Sequence, residues 1–246
     1  PIAAYLRKFH NRADLTLVPT RALCGELAEQ GIARVDVVSR GVDTTLFDPA
    51  RRSASLRRSW GLAPDDLAVV YVGRIAPEKN LALLEKAFEA IRAHQPRARL
   101  ILVGSGPAQQ ALQARQPAAV FCGSRTGAFL AEHYASGDLF LFPSLTETYG
   151  NVVAEALASG LPVVAYRDAA AQELIEHRVQ GWLAEPGDEA AFIAGAVALA
   201  DAPELRARQR LAARERVASL AWQAIVERLV TLQRQVILSS PVTARR

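Results

Sequence analysis

Four charged side chains stand where short apolar runs give way to polar loops, and their types suit a phosphorylated sugar. Arg74 follows the run that ends at Val72 and Gly73, and Lys79 stands at the start of the helical pattern beyond it. Arginine offers a planar fork of donors and lysine a compact point charge. Converging on the free amides of a helix start, the two form a clamp for a diphosphate; the plainer reading pairs them on the surface with Glu78 and other acids. Glu147 lies in the loop after Pro143, and Glu155 follows eight positions on, in the second turn of a helix that starts near Gly150. A carboxylate accepts paired hydroxyls, as on a sugar or a ribose. The N–H groups of Gly150, Asn151 and Val152 suit a phosphate or a polar sugar edge. Taken singly, Glu155 reads as a helical surface residue; beside Gly150 and a basic clamp it reads as one wall of a crevice.

Other chemistries lose their signatures. The segment from Val103 to Gln109 follows a strand pattern and opens a helix, as a dinucleotide fingerprint would. It holds Gly104 and Gly106 but has Gln109 where a third glycine is required, and no acidic residue ends the next strand. A tight turn lining the cleft is the better reading. The histidines at 10, 94, 133 and 177 are scattered, Cys24 and Cys122 form neither a metal spacing nor a disulfide framework, and no Asp-x-Asp stands ready for a divalent cation. Neither a Gly-x-Ser-x-Gly elbow nor a phosphate-binding Walker loop is present.

The elements that must position these residues alternate. Leu67–Val72, Arg99–Val103, Ala118–Cys122, Leu139–Phe142 and Leu161–Ala165 read as short buried strands. Asn80–His94, Pro107–Arg115, Thr126–Ser136 and Asn151–Ser159 carry apolar residues at helical spacing. Strand–helix alternation with short connections predicts an α/β fold, a Rossmann-like parallel sheet with helices on both faces. Ligands of such sheets bind beyond the carboxyl ends of the strands, where the residues above fall. The first 40 residues repeat the style with strand Leu15–Val18, helix Arg21–Gln30 ended by Gly31, and strand Val35–Val38. Ser39–Pro49 reads as a connector, Arg51–Trp60 as a helix, Pro203–Val217 and Ala221–Leu238 as two closing helices, and Ser239–Arg246 as a frayed tail.

The 246 residues are half hydrophobic, enough for a sizeable core, with a net charge of +4. No apolar run reaches the roughly 18–20 residues that span a bilayer. Arg7, Lys8 and His10 make the start unlike a signal peptide, and two cysteines point to a reducing, cytoplasmic setting. There is no methionine and the first residue is proline, which reads as a lost initiator or a fragment. From Asp201 onward nine arginines face four acidic residues. Arg206, Arg208, Arg210, Arg214 and Arg216 share one helical pattern, read as a solvated face or as attraction to an anionic membrane surface. No aromatic residues interleave with them, so nucleic acid is not expected.

Several segments together resemble the family 4 (group 1) retaining glycosyltransferases, whose GT-B architecture has two lobes. They are Val72–Asn80, Leu102–Pro107, Pro143–Ala156 and Ala158–Ala165; Arg40–Asp43 followed by Phe47–Pro49 resembles the interlobe connector. The match covers nearly the whole chain. Glu147 and Glu155 fit the family's paired-glutamate motif, while Tyr149 stands where phenylalanine is usual. The resemblance implies the C-terminal, donor-binding lobe at 45–217, the end of the other lobe and the connector at 1–44, and a C-terminal helix and tail at 218–246. It implies that Arg74 and Lys79 hold the donor diphosphate beside Gly73 and Gly104, that Glu147 binds sugar hydroxyls, and that Tyr149–Val152 line the sugar and phosphates. Glu155 takes the ribose hydroxyls, and Gly123, Ser124 and Arg125 meet the base. Arg74, Lys79 and Glu147 are the expected catalytic residues of a hexosyltransferase that retains configuration, needs no metal or other cofactor, and uses GDP-mannose first and UDP-sugars next. Expected partners are the nucleotide-sugar and a lipid or glycan acceptor, with a cytoplasmic location at the inner face of the membrane. Most of the acceptor half is expected to lie outside the chain. The alternatives are a non-catalytic nucleotide-sugar-binding module or an epimerase of the same fold.

Overall fold

The computed structural model describes residues 2–145 and 149–239. The chain divides into two compact units, Pro1–Gly41 with Ser219–Arg246, and Val42–Ala218. In the first, α1 (Ile2–His10) turns Ile2, Tyr5, Leu6 and Phe9 outward. Strand β1 (Thr16–Val18) pairs in parallel with β2 (Val35–Val37), and α2 (Arg21–Glu29) crosses between them. The Thr20 hydroxyl accepts from the Leu23 amide at the start of α2, and Gly31, at φ +84°, follows its end.

The second unit opens with a turn fastened by Asp43, whose carboxylate accepts from the amides of Thr45 and Leu46. Helix α3 (Ala54–Ser59) carries Arg57 inward, 4% exposed. Its guanidinium donates to the carbonyls of Ser136, Pro64 and Asp66 and to the Asp138 carboxylate, so the buried charge is both paired and hydrogen-bonded. From there strands and helices alternate: β3 (Ala68–Val72), α4 (Leu81–His94), β4 (Arg99–Val103), α5 (Gln109–Arg115), β5 (Val120–Phe121), α6 (Gly127–Ala135), β6 (Leu139–Phe142), α7 (Asn151–Ala158), β7 (Val163–Tyr166), α8 (Ala169–Leu174), β8 (Gly181–Ala184), α9 (Glu189–Ala200) and α10 (Pro203–Val217). Helix α11 (Trp222–Ser239) returns the chain to the first unit. There Gly41 lies so near the Trp222 ring that a Cβ would overlap it.

The six strands form one parallel sheet in the order β5-β4-β3-β6-β7-β8, with Tyr71 opposite Leu102 and Val70 opposite Phe140. The order runs outward in both directions from β3 and β6, so the switch point lies between those two strands. Because side chains alternate along a strand, one face presents Val69, Tyr71, Leu100, Leu102, Leu139 and Leu141 to Leu84, Phe88 and Ile91 of α4 and Phe192, Ala196 and Leu199 of α9. The other face presents Phe140 to Tyr134 of α6, ring centroids 5.7 Å apart. Helices cover both faces, as expected.

Element ends shift by one to three residues. Lys79 and Asn80 precede α4, on a 3-10 turn Pro77–Lys79 capped by Asn80 at φ 52°. Ser239 is the last residue of α11, and 240–246 lie outside the described residues.

The arginine-rich helix departs most from expectation. Arg206 donates to Leu199 and Ala200 at the end of α9, and Arg210 to Gly137 just past α6. Arg214 donates to Ala158 at the end of α7, to the carbonyls of Thr44 and Phe47, and to the Asp48 carboxylate. Arg216 reaches Glu173 and Leu174 at the end of α8. Four helix C-termini thus meet a cation, which satisfies their last carbonyls and opposes their dipoles. Arg206, Arg210 and Arg214 recur every fourth residue, with their stems on the side of buried Gln209, Ala213 and Val217. Only Arg208 of the five lacks such a role and stands exposed. The other four, partly buried at Arg206, Arg210 and Arg214 and exposed at Arg216, do not simply line a solvated face but cap the ends of neighbouring helices.

Candidate functional site

The carboxyl ends of β5, β4, β3 and β6 are neighbours, so the loops after them share one edge of the sheet. These loops carry Gly123–Arg125, Gly104, Gly73–Lys79 and Tyr149–Glu155 in that spatial order. All the described candidate residues therefore share the carboxyl edge of the sheet within the Val42–Ala218 unit. Gly73–Lys79 and Tyr149–Glu155 flank the switch point, and Gly104 and Gly123–Arg125 follow the strands beyond β3. Glu147 lies outside the described residues.

The loops are fastened to one another mainly by backbone. The Gly73 amide donates to Val103, the Ile75 amide to Ser105, and the Gly104 amide to Gly123. A Cβ on Gly104 would overlap the Gly73 carbonyl, and one on Gly106 the carbonyl of Ile75. The two glycines of the partial dinucleotide pattern thus serve a close approach of two loops, which is why a third glycine is dispensable. The Ser105 and Ser124 hydroxyls are 2.9 Å apart, linking the loops after β4 and β5. Asn80 donates to the Pro143 carbonyl at 3.3 Å, linking the loops after β3 and β6. Beneath Arg74, the Tyr71 hydroxyl donates to the Arg74 carbonyl at 2.9 Å.

Arg74 projects outward and pairs with Glu78 at 3.1 Å, with both side chains exposed. The surface pairing anticipated as the plainer reading is therefore present. An exposed pair of this kind contributes about 0–1 kcal/mol, so it leaves the guanidinium exchangeable for a stronger anion. Lys79 is half-buried on the same loop.

The helix starts around this edge share a feature. Among the described residues, helices α4, α5, α6 and α7 begin at Asn80, Ala108, Thr126 and Gly150 without a side-chain cap. Helices α8 and α9, which follow β7 and β8, are capped by Asp168 and Asp188. First-turn amides without a capping oxygen are left to solvent or a ligand. Gly150 takes φ 87°, a left-handed conformation that glycine adopts without strain, and α7 leaves it with Asn151 exposed. The Tyr149 side chain is 2% exposed, and its carbonyl accepts from the Ala170 amide. Tyr149 is thus anchored in the core and can line a site only through backbone.

Glu155 is half-buried one turn into α7, and its Oε2 accepts from the Tyr134 hydroxyl at 2.9 Å. Burial pushes its carboxyl above the usual carboxylate range, and the tyrosine offsets part of that rise. Ser124 and Arg125 are exposed beyond β5. Below them Trp60 and His133 lie 5.7 Å apart, and burial holds the His133 imidazole below its usual pKa. Tyr134, Ser105, Asn80 and Tyr71 hold these loops and Glu155 in place. Asn80 and Ser105 lie within the segments singled out in the sequence and Tyr71 directly before one, whereas no motif marks Tyr134, one apolar-face residue of α6 among several. Among the described residues no three His, Cys, Asp or Glu side chains are grouped to hold a metal, and no helix is long and apolar enough to cross a membrane.

Comparison with known proteins agrees with this architecture. Residues 66–202 match the family model described as "Glycosyl transferases group 1". A GDP-mannose-dependent alpha-mannosyltransferase of Mycobacterium tuberculosis is 40% identical over 228 residues, covering 92% of this chain and 58% of that protein. The sulfoquinovosyl transferase SQD2 of Arabidopsis thaliana is 36% identical, covering 93% of this chain and 46% of that one. Among solved structures, the sucrose-phosphate synthase of Thermosynechococcus elongatus superposes with a TM-score of 0.82 at 25% identity, over 97% of this chain and 62% of that chain. The chain spans about half the length of the curated relatives it matches. On the family model and the identity to these relatives, the chain belongs to the group 1 glycosyl transferases.

Proposed function

We propose that the chain supplies the donor site of a retaining hexosyltransferase that moves a sugar from a nucleoside diphosphate to a lipid, glycan or other acceptor. The observation that carries this reading is the sharing of one sheet edge by an exposed arginine, a lysine, uncapped helix starts and a half-buried carboxylate. Arg74 and Lys79, beside Gly73 and Gly104, oppose the charge of the departing diphosphate, which is electrostatic stabilisation of a leaving group without a side-chain general acid. The amides of Gly150–Val152 contact the phosphates and sugar, Glu155 takes the ribose hydroxyls, and Gly123–Arg125 meet the base. Glu147 is assigned to the sugar hydroxyls by resemblance alone. In this reading residues 45–217 are the donor lobe, and 1–44 are the end of the other lobe with its connector. The mannosyltransferase relative favours GDP-mannose as donor, with UDP-sugars next. A cytoplasmic site of action goes with such a donor, and the cations of the clamp stand in for a metal.

Calorimetric titration with GDP, UDP and ADP tests the reading. One diphosphate binds, and chelation by EDTA leaves its affinity unchanged. Arg74→Ala and Glu155→Ala each weaken it at least tenfold, or about 1.4 kcal/mol. Unchanged affinity in both variants sinks the site.

A further inference from the structure

The carboxylate assigned to the ribose is not held by its own helix. Its Oε2 accepts the Tyr134 hydroxyl from α6, while among the described residues Oε1 has no hydrogen-bond partner. The tyrosine is fully buried, and its ring is fixed on two sides. Phe47 of the turn before α3 meets it edge-on at 5.7 Å, and Phe140 of β6 lies at the same centroid distance. With both ring contacts in place the hydroxyl oxygen is held fixed, and the acceptor it meets is Glu155 Oε2. Burial and the adjacent carboxylate keep it protonated, so it is a donor at every working pH. A glutamate on an exposed helical turn samples several rotamers; one oxygen bound to a rigid hydroxyl fixes the carboxylate and aims the second oxygen.

Resting on the donor-site reading above, we infer that Tyr134 is a positioning residue: it fixes Glu155 so that the carboxylate accepts both vicinal hydroxyls of the nucleotide ribose. Two hydroxyls on one carboxylate require its plane to be set to within a fraction of an ångström, and the Phe47–Tyr134–Phe140 cluster supplies that constraint from the core. Tyr134 contacts no ligand in this arrangement and acts only through Glu155.

The test compares a nucleoside diphosphate with its 2′,3′-dideoxy counterpart by titration calorimetry, using GDP or UDP, whichever the chain binds. The wild-type chain prefers the ribonucleotide at least tenfold. Tyr134→Phe keeps the ring and its contacts, and the preference falls at least threefold, through weaker binding of the ribonucleotide. In a Glu155→Ala background the same substitution changes the preference by less than a factor of 1.5, since the carboxylate it acts on is gone. A preference retained in full by Tyr134→Phe overturns the inference and leaves the donor site standing. A wild-type chain that binds both nucleotides equally overturns the ribose assignment of Glu155, and this inference with it. A merely structural tyrosine would lower affinity for the two nucleotides alike, so the ratio separates the roles.

Discussion

At the scale of single residues, Glu155 carries a cost of burial that fits its proposed place in the donor site. Burial raises its carboxyl above the value of 4.5 that it has in the unfolded chain. Between the two values the folded state holds a proton that the unfolded state has lost. The stability this group contributes is therefore complete below the unfolded pKa and is lost as pH rises through the folded one. At neutral pH the buried charge is destabilising, although Tyr134 reduces the penalty. Glu155→Gln has nearly the same shape and can still accept the Tyr134 hydroxyl. It should raise the melting temperature at pH 7–8, by roughly 2–4 °C for each kcal/mol relieved, and lose that advantage near pH 4. Calorimetric scans at the two pH values check this; equal melting temperatures at pH 7.5 would mean the carboxylate is not held against its preference. The same variant binds nucleotide more weakly, the stability–activity trade expected of a binding carboxylate.

At the scale of elements, what the sequence makes legible depends on how an element is buried. Strands β3, β4 and β6 are covered on both faces, so they read as unbroken apolar runs ending at Gly73, Gly104 and Pro143. Helix α4 has one solvent face and shows clean periodicity through Leu84, Phe88 and Ile91. Helix α9, Glu-Ala-Ala-Phe-Ile-Ala-Gly-Ala-Val-Ala-Leu-Ala, is apolar nearly all round because it lies among α4, α10 and the sheet, so it gives no period to read. Strand β8 opens with Gly181, where a Cβ would overlap the Val163 carbonyl, so the residue this pairing requires reads in the sequence as a turn rather than a strand. Neither was expected, nor were α1 and α8. The candidate residues in motifs were legible as candidates, whereas Tyr134 was not, because a buried tyrosine's hydrogen bond leaves no spacing in the chain. Helix α10 misleads in the other direction, since its arginines look solvent-facing until their carbonyl partners are known. Two arginines on this helix should consequently respond very differently. Arg214→Ala strips donors from three carbonyls and a carboxylate, and should cost about 1.5–3 kcal/mol in urea denaturation. Arg208→Ala, on an exposed position, should stay within about 0.5 kcal/mol. Equal effects would refute the capping role.

At the scale of the whole molecule, the parallel sheet makes function one-sided. Every strand of the six ends at the same edge, so each loop bearing a candidate residue falls there, and the opposite edge receives the connections that begin strands. Asp66 and Arg97, paired at 2.9 Å just before β3 and β4, belong to that opposite edge. A nucleotide bound as proposed should therefore protect amides in a pattern that follows topology. Hydrogen exchange at saturating diphosphate should slow in peptides covering Gly73–Asn80, Gly104–Gly106, Gly123–Arg125 and Gly150–Glu155. These segments are separated by up to several tens of residues in sequence and adjacent only through the strand order β5-β4-β3-β6. Peptides spanning Ala63–Leu67 and Gln95–Ala98, at the far edge, should be unchanged, as should Arg21–Val37 in the other unit. The strongest effect belongs at Gly150–Val152, because the first turn of α7 has no side-chain cap among the described residues and a bound anion would accept from its amides. Protection at the Asp66–Arg97 edge instead would place the ligand on the wrong side of the sheet and discard the site. Uniform slowing across both units would mean global stabilisation by mass action, which carries no information about where the ligand sits.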